Sequence, residues 1–133
     1  HWLKVGAEGD ADKLPKIYQV NWFRKDADGK FIWPGFGDNS RVLAWVIDRV
    51  DGEAGAEETP IGRRPLAGDL DVSGLGLTDD QVEELFAVNP EPWLAECKLT
   101  DEYYDKFGDR VPAGLWKELS DLSARLEEAQ NNA

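Results

Sequence analysis

Few residues of this chain could carry out covalent or metal chemistry. The 133 residues include one histidine, His1, and one cysteine, Cys97. Nucleophilic catalysis by Ser or Cys commonly needs a histidine base, and zinc sites need clustered His and Cys ligands. His1 is the first residue, and Cys97 falls inside a predicted helix, so an idle side chain is favoured at both positions. We therefore predict no catalytic residue and no metal ligand in this chain.

Short motifs for ions and phosphates are equally weak. The sequence DADG at 26–29 is reminiscent of a calcium loop, but Arg24 stands where such a loop needs an acidic or amide ligand. The sequence GLGLTD at 74–79 lacks the third glycine of a dinucleotide fingerprint. No G-x4-G-K-[ST] phosphate loop occurs in the chain. These patterns favour a hairpin turn at 26–29 and a helix start near 78.

The aromatic residues of the first third form a more informative pattern. Phe31 and Trp33 alternate in FIWPGFGDN (31–39), and Phe36 stands between two glycines, where no regular element can bury it. Phe23 falls on the polar side of the preceding run. One interpretation is a second small core over a hairpin. The other is an aromatic slot for a flat ring, because base–aromatic stacking contributes about 1–3 kcal/mol per base.

Asn39 adds an edge contact to the second interpretation. Its amide and the neighbouring backbone N–H groups can pair with the O6 acceptor and N–H donors of guanine. A site built for those hydrogen bonds rejects adenine, which leaves them unpaired. The glycines allow close approach of the backbone, and a helix N-terminus at Asn39 favours a nearby anion.

Predicted secondary structure places these residues on a hairpin and a helix. Alternation predicts a strand over 17–23, and a turn at 26–29 leads to a returning strand at 31–33. Apolar spacing then predicts a helix over 39–50, capped by Asp38 or Asn39 and ended by Gly52.

The second half is predicted to be mainly helical. A loop with a short extended piece near 60–62 precedes a Thr78/Gln81 capping box, which starts a helix through about Ala87. Pro90 begins a helix that stops at Gly108, and a last helix covers about 112–129. The fold class is therefore mixed α/β, with a hairpin-and-helix part (1–62) and a helical part (63–133).

Composition limits the partners. The formal charge of −12 disfavours nucleic acid, but residues 13–49 carry seven basic and four acidic side chains, a local +3 that would attract an anion. No apolar run approaches a membrane span, and a single cysteine excludes an intramolecular disulfide, so we expect a cytoplasmic protein without membrane contact. Because the chain lacks methionine and begins at His1, we expect a piece of a longer protein.

The segment VNWFRKDADGKFIWPGFGDNSRVLAWVIDRVDG, followed by TPIG and LGL…ELF, closely resembles the C-terminal part of GTP-dependent phosphoenolpyruvate carboxykinases. The resemblance extends from His1 to about Leu126 and is densest over 15–62. It implies that Phe23, Phe31 and Phe36 contact the guanine of GTP or GDP and that Asn39 also contacts it. It further implies part of a nucleotide-binding domain of a monomeric enzyme that converts oxaloacetate and GTP to phosphoenolpyruvate, GDP and carbon dioxide in gluconeogenesis, with Mn²⁺ or Mg²⁺.

The resemblance also implies what this chain lacks. The family's phosphate loop with its reactive cysteine, its metal ligands, its oxaloacetate-binding residues and its lid precede the position that matches His1. Cys97 does not match that cysteine. We therefore expect recognition of guanine without turnover by these residues alone, and a partner in the upstream remainder of the enzyme. Two alternatives stay open from the residues: an independent aromatic-face module for a sugar or peptide, and a structural domain without a ligand.

Overall fold

A computed structural model describes residues 1–132 of the chain. Their secondary structure is mostly helical, with one small pair of antiparallel strands, which confirms the mixed α/β class. The elements in chain order are α1 (Trp2–Glu8), α2 (Asn39–Asp51), β1 (Glu57–Thr59), β2 (Gly62–Arg64), α3 (Asp79–Phe86), α4 (Pro90–Asp105) and α5 (Ala113–Asn131). Within this described range, no helix is both long enough and apolar enough to cross a membrane.

The chain divides into two compact units. The first, which we call the slot unit, comprises residues 15–58 and 63–87. The second, the helical unit, comprises residues 1–14, 59–62 and the described residues from Val88 on. This division differs from the predicted boundary at residue 62, because α3 and the loop before it belong with the aromatic segment.

Tryptophans form the core of the slot unit. Trp33, Trp45 and Leu70 are buried together, and the edge of the Tyr18 ring faces Trp45 with a centroid separation of 6.1 Å. Partly buried apolar side chains surround this cluster: Trp22, Val42, Val46, Ala54, Ala56, Val72, Leu75, Leu85 and Phe86. Because Trp45 of α2 is buried in this core, the rotation of α2 about its axis is fixed, and with it the position of Asn39, the first residue of the helix.

The helix predicted over 39–50 is confirmed as α2. Its C-terminal Gly52 adopts φ +83°, a left-handed conformation that suits glycine, and its N–H donates to the Asp48 carbonyl. Asp38 is the residue at the N-cap, but its side chain makes no capping hydrogen bond and accepts one from Arg41 Nε at 3.2 Å. The helix start is therefore fixed by an ion pair with the first turn.

The strand predicted over 17–23 is wrong. These residues form no ladder, and an isolated antiparallel bridge between Lys25 and Phe31 is what remains of the predicted hairpin. The Asn21 Oδ1 atom accepts a hydrogen bond from the Phe23 N–H at 3.0 Å, and this local turn ends the extended run. Alternation alone could not supply the partner strand that a ladder needs.

The turn at 26–29 is confirmed. Asp26 Oδ1 accepts from the N–H groups of Asp28 (3.0 Å) and Lys30 (2.9 Å), and Gly29 adopts φ +78°. The Asp26 carboxylate therefore stabilises the turn through its own backbone neighbours.

The extended piece predicted near 60–62 lies in a second, short hairpin. Strands β1 and β2 flank residues 60–61, which form its tip.

The capping box predicted at Thr78 and Gln81 and the helix start predicted at Pro90 are confirmed. Thr78 and Gln81 form a reciprocal capping box at α3, and Asn89 Oδ1 accepts from the Glu91 N–H at the start of α4. Helix α4 ends at Asp105, three residues before the predicted stop at Gly108, where a 3-10 turn begins. In the helical unit α4 packs on α5, where Leu126 is completely buried.

Candidate functional site

An open cleft of about 600 Å³ lies in the slot unit, within the range usual for small-molecule sites. We call it the aromatic slot. Its lining comes from three turn segments and the first residue of α2: Trp22, Phe23, Gly29, Lys30, Phe31, Trp33, Pro34, Gly35, Phe36 and Asn39. The structure thus brings together all four residues that the sequence analysis selected.

Phe23 is positioned by its neighbour Arg24. The Arg24 Nη1 atom donates to the carbonyl of Ala87 at 2.9 Å and to that of Leu85 at 3.4 Å, while Nη2 contacts Glu84 Oε1 at 3.0 Å. These carbonyls belong to the C-terminal end of α3, where helical partners run out. Arg24 therefore ties the turn that carries Phe23 to α3 and leaves the phenyl ring 69% exposed.

Phe31 packs directly beside Phe23 in the aromatic slot. Their ring centroids are 5.8 Å apart at an interplanar angle of 62°, an edge-to-face pair. The Lys25 ammonium lies 5.3 Å from the Phe31 centroid, in cation–π range. The antiparallel bridge between Lys25 and Phe31 holds both residues at the base of the 26–29 turn.

Phe36 lies on a separate turn and is 99% exposed. The preceding Gly35 has φ +92°, which other residues adopt only with strain, and the Asp38 N–H closes the turn on the Gly35 carbonyl at 2.9 Å. Exposure of a complete phenyl ring forgoes the free energy of its burial. An exposed ring beside a cleft is therefore available to a ligand.

Asn39 is the half-buried first residue of α2 and lies at the same cleft. Its Oδ1 atom accepts a hydrogen bond from the Trp33 indole Nε1 at 2.9 Å. Trp33 is 5% exposed and belongs to the core. The slot therefore joins the hydrophobic core at this hydrogen bond.

Charges near the start of α2 stabilise its orientation. Arg41 pairs with Asp38 through Nε and with Asp71 Oδ2 through Nη1 at 2.8 Å. Hydrogen bonds from the Ser73 hydroxyl and N–H, with a smaller contribution from Arg41, lower the pKa of Asp71 below its ordinary value. Lys30 adds a positive charge at the edge of the slot.

Sequence analysis missed two of these features. Neither the anchoring of Arg24 on α3, about 60 residues away in the sequence, nor the Trp33–Asn39 hydrogen bond was predicted. The first has no local signal in the sequence, whereas the second joins two side chains within one short turn segment.

Metal ligands are a separate question. Within residues 1–132, no group of three or more His, Cys, Asp or Glu side chains could hold a metal ion. These residues thus do not fit a metal site, and we assign no step to one.

A model of the family "phosphoenolpyruvate carboxykinase C-terminal P-loop domain" matches residues 1–125. The chain belongs to this family. It is 49% identical to the phosphoenolpyruvate carboxykinase (GTP) of Renibacterium salmoninarum over 126 residues, and this match covers 95% of the chain. It is 48% identical over 134 residues to the protein of the same name from Treponema pallidum, which covers all of the chain.

The match to an Arthrobacter carboxykinase is similar, at 48% identity over 128 residues. In each case the matched region is only 21% or 22% of the relative's own length. The chain therefore spans about a fifth of the length of the carboxykinases it matches.

Proposed function

We propose that the aromatic slot binds the guanine base of GTP or GDP within a GTP-dependent phosphoenolpyruvate carboxykinase. The observation that carries the proposal is the convergence of three exposed phenylalanines and one helix-start asparagine on a single cleft. Membership of the carboxykinase family supports it, as does the name of the relatives, which specifies GTP.

Each residue has a separate role in this proposal. Phe36 stacks on or packs against the base from its own turn, and Phe23 with Phe31 forms the opposing aromatic surface. Asn39 donates to the base edge, and Gly35 lets the backbone approach it closely. Lys25 and Lys30 give the cleft a positive rim, which favours an anionic nucleotide in a chain of net charge −12.

The reaction of the whole enzyme extends beyond this chain. We propose that it interconverts oxaloacetate and GTP with phosphoenolpyruvate, GDP and carbon dioxide, in gluconeogenesis in the cytoplasm, as a monomer. Mn²⁺ or Mg²⁺ would be held by residues outside the described ones. With the base site but no catalytic group of its own, the 133-residue chain is expected to bind guanine nucleotides and to give no oxaloacetate-dependent consumption of GTP.

The partner of the slot unit in this proposal is the remainder of the enzyme. Leu43, Ile47 and Val50 follow helical spacing on the outer face of α2, and each is more than half exposed. Such an apolar stripe is normally covered. We expect dye binding to exposed apolar surface to fall when the preceding carboxykinase segment, expressed separately, is added. Unchanged dye binding would contradict this pairing.

The proposed base site is tested by titrating the chain with GDP, ADP and a small panel of oligosaccharides in a calorimeter. We expect GDP to bind more tightly than ADP, and Phe36→Ala to weaken GDP binding by about tenfold or more, as expected from the loss of one stacking contact. Tyr103→Ala is a matched control, because Tyr103 is also an exposed aromatic but lies on α4 in the helical unit. It should leave binding unchanged.

Two outcomes would overturn the assignment. Equal binding of GDP and ADP would remove the guanine preference. Binding of an oligosaccharide that Phe36→Ala abolishes, without binding of GDP, would favour a sugar-binding module instead.

A further inference from the structure

We infer that Trp33 is a specificity-positioning residue: its indole N–H fixes the orientation of the Asn39 amide so that the amide presents a donor to the slot. The inference rests on the proposed function, which it deepens. It assigns a part in base selection to a residue that lies in the hydrophobic core and contributes its N–H group to the site.

The chemistry of the two groups determines the orientation. An indole N–H can only donate a hydrogen bond, whereas a carboxamide has an acceptor oxygen on one side and a donor NH₂ on the other. The 2.9 Å contact from Trp33 Nε1 therefore requires the oxygen of Asn39. Rotation of the amide by half a turn would bring two donors together and leave a buried N–H without an acceptor, which is costly.

Trp33 is well suited to impose this orientation because it is rigidly held. Its ring is 5% exposed and packs with Trp45 and Leu70. Asn39 lies in the first turn of α2, whose position Arg41 fixes through Asp38 and Asp71. Donor and acceptor are thus each held by contacts of their own, and neither side chain needs a ligand to adopt its place.

The consequence for a purine follows from its edge. With the oxygen engaged by Trp33, Asn39 offers its NH₂ group to the cleft that it lines. Guanine has an acceptor, O6, at the position where adenine has an N6 amino donor. The fixed amide matches guanine and opposes adenine, whereas an amide free to rotate could accept from adenine as readily as it donates to guanine.

Trp45 supplies a matched control within the same core. It is 6% exposed, and its Nε1 atom is buried without a hydrogen-bond partner among the described residues. Trp45→Phe and Trp33→Phe therefore each remove one indole N–H from the core. Only the second substitution removes the donor that faces Asn39.

The experiment measures binding of GDP, ADP and inosine diphosphate to the parent chain and to these two variants by calorimetry. In Trp33→Phe we expect the ratio of GDP to ADP affinity to fall about tenfold, the effect of losing one hydrogen-bond preference. Inosine diphosphate, which keeps O6, should lose affinity in parallel with GDP. In Trp45→Phe the ratio should equal that of the parent chain.

The outcomes separate the two proposals. A parent chain without guanine preference overturns the proposed function. A parent chain that prefers GDP, together with a Trp33→Phe variant that keeps the full GDP/ADP ratio, overturns the present inference alone. A fall in the ratio that is equal in Trp33→Phe and Trp45→Phe would also overturn it, because the cause would then be loss of core packing.

If Trp33→Phe does not fold, replacement of Trp33 by 3-benzothienylalanine keeps the ring volume and exchanges the N–H for sulfur. It should lower the GDP/ADP ratio to the same extent. Hydrogen exchange gives a readout without nucleotide. The Trp33 indole proton should exchange more slowly in the parent chain than in Asn39→Ala, and equal exchange rates would contradict the hydrogen bond on which the inference depends.

Discussion

The two units of the chain use their aromatic residues in opposite ways. In the helical unit, aromatic rings pair with one another: the centroids of Tyr104 on α4 and Trp116 on α5 are 5.2 Å apart, and those of Tyr103 and Phe107, just after α4, are 5.1 Å apart. In the slot unit, Trp33 and Trp45 fill the core and Phe86 of α3 packs against it, whereas Phe23, Phe31 and Phe36 are exposed in the turn-rich segment before α2. Phe36, with 99% exposure, is the extreme case.

The difference shows how function can be located in a chain with no catalytic motif. A phenylalanine on a helix contributes burial and needs no further explanation. A phenylalanine held on a glycine turn, beside a buried tryptophan and a helix start, stabilises the folded state little. The fold keeps such a side chain in place through hydrogen bonds made by its neighbours, as Arg24 does for Phe23.

The largest expected effect contrasts burial in the two units. Leu126→Ala should lower the free energy of unfolding by about 2–5 kcal/mol, because Leu126 is completely buried and its truncation leaves a cavity. Phe36→Ala should change it by less than about 0.5 kcal/mol, as expected for an exposed side chain. Urea unfolding followed by circular dichroism measures both. Comparable losses for the two variants would mean that Phe36 supports the fold.

A smaller effect is expected from loosening the slot. Arg24→Gln removes the charged fork that bonds the end of α3 and should cost about 1–3 kcal/mol of unfolding free energy. GDP binding should weaken as well, because Phe23 loses its anchor. Arg125→Gln, which removes a side-chain contact to the Pro60 carbonyl in the helical unit, serves as the control. GDP affinity that is equal in both variants would contradict the positioning role of Arg24.

Helix caps allow a comparison of one residue in each unit. Thr78→Ala removes the capping box of α3 in the slot unit, and Asn89→Ala removes the cap of α4 in the helical unit. Each should lower the free energy of unfolding by about 1 kcal/mol. Thermal unfolding of both variants is the measurement. A Thr78→Ala variant with unchanged stability would show that α3 is held by its tertiary contacts alone.

The smallest effect concerns one carboxyl group. Ser73→Ala should raise the pKa of Asp71 toward its ordinary value, because the Ser73 hydroxyl is the main cause of the lowered pKa. A lowered pKa in the folded state means that the associated stability is present above the ordinary pKa and is lost as the pH falls through the lowered one. NMR titration of Asp71 gives both values, and an unchanged pKa would contradict the assignment to Ser73.

The fold could be predicted where the signal was local. The Thr78–Gln81 capping box, the α2 periodicity with Gly52 at its end, and the 26–29 turn each contain their own cause within a few residues. The strand over 17–23 could not be judged in this way, because a strand also needs a partner that alternation does not identify. Helix α4 ends at Asp105, three residues before the predicted stop at Gly108, where a 3-10 turn begins.

The four residues of the candidate site could be selected from spacing and resemblance, but their arrangement could not. Exposure of Phe36 follows from its glycine neighbours and was predicted. The hydrogen bond from Trp33 to Asn39 depends on how the turn at 35–38 brings α2 back to the core. The hydrogen bonds that anchor Arg24 depend on the position of α3, which is distant in the sequence.

The division of the chain into units has a consequence for synthesis on the ribosome. Every residue of the slot unit precedes Val88, whereas the helical unit combines residues 1–14 with α4 and α5. Chains emerge from the N-terminus, and compact units fold when their last segment is available. The slot unit can therefore fold while the last two helices are still being made. Helix α1, by contrast, must wait for α4 and α5, which follow it by more than 70 residues. Its packing in the helical unit then costs the loop-closure entropy of the intervening chain.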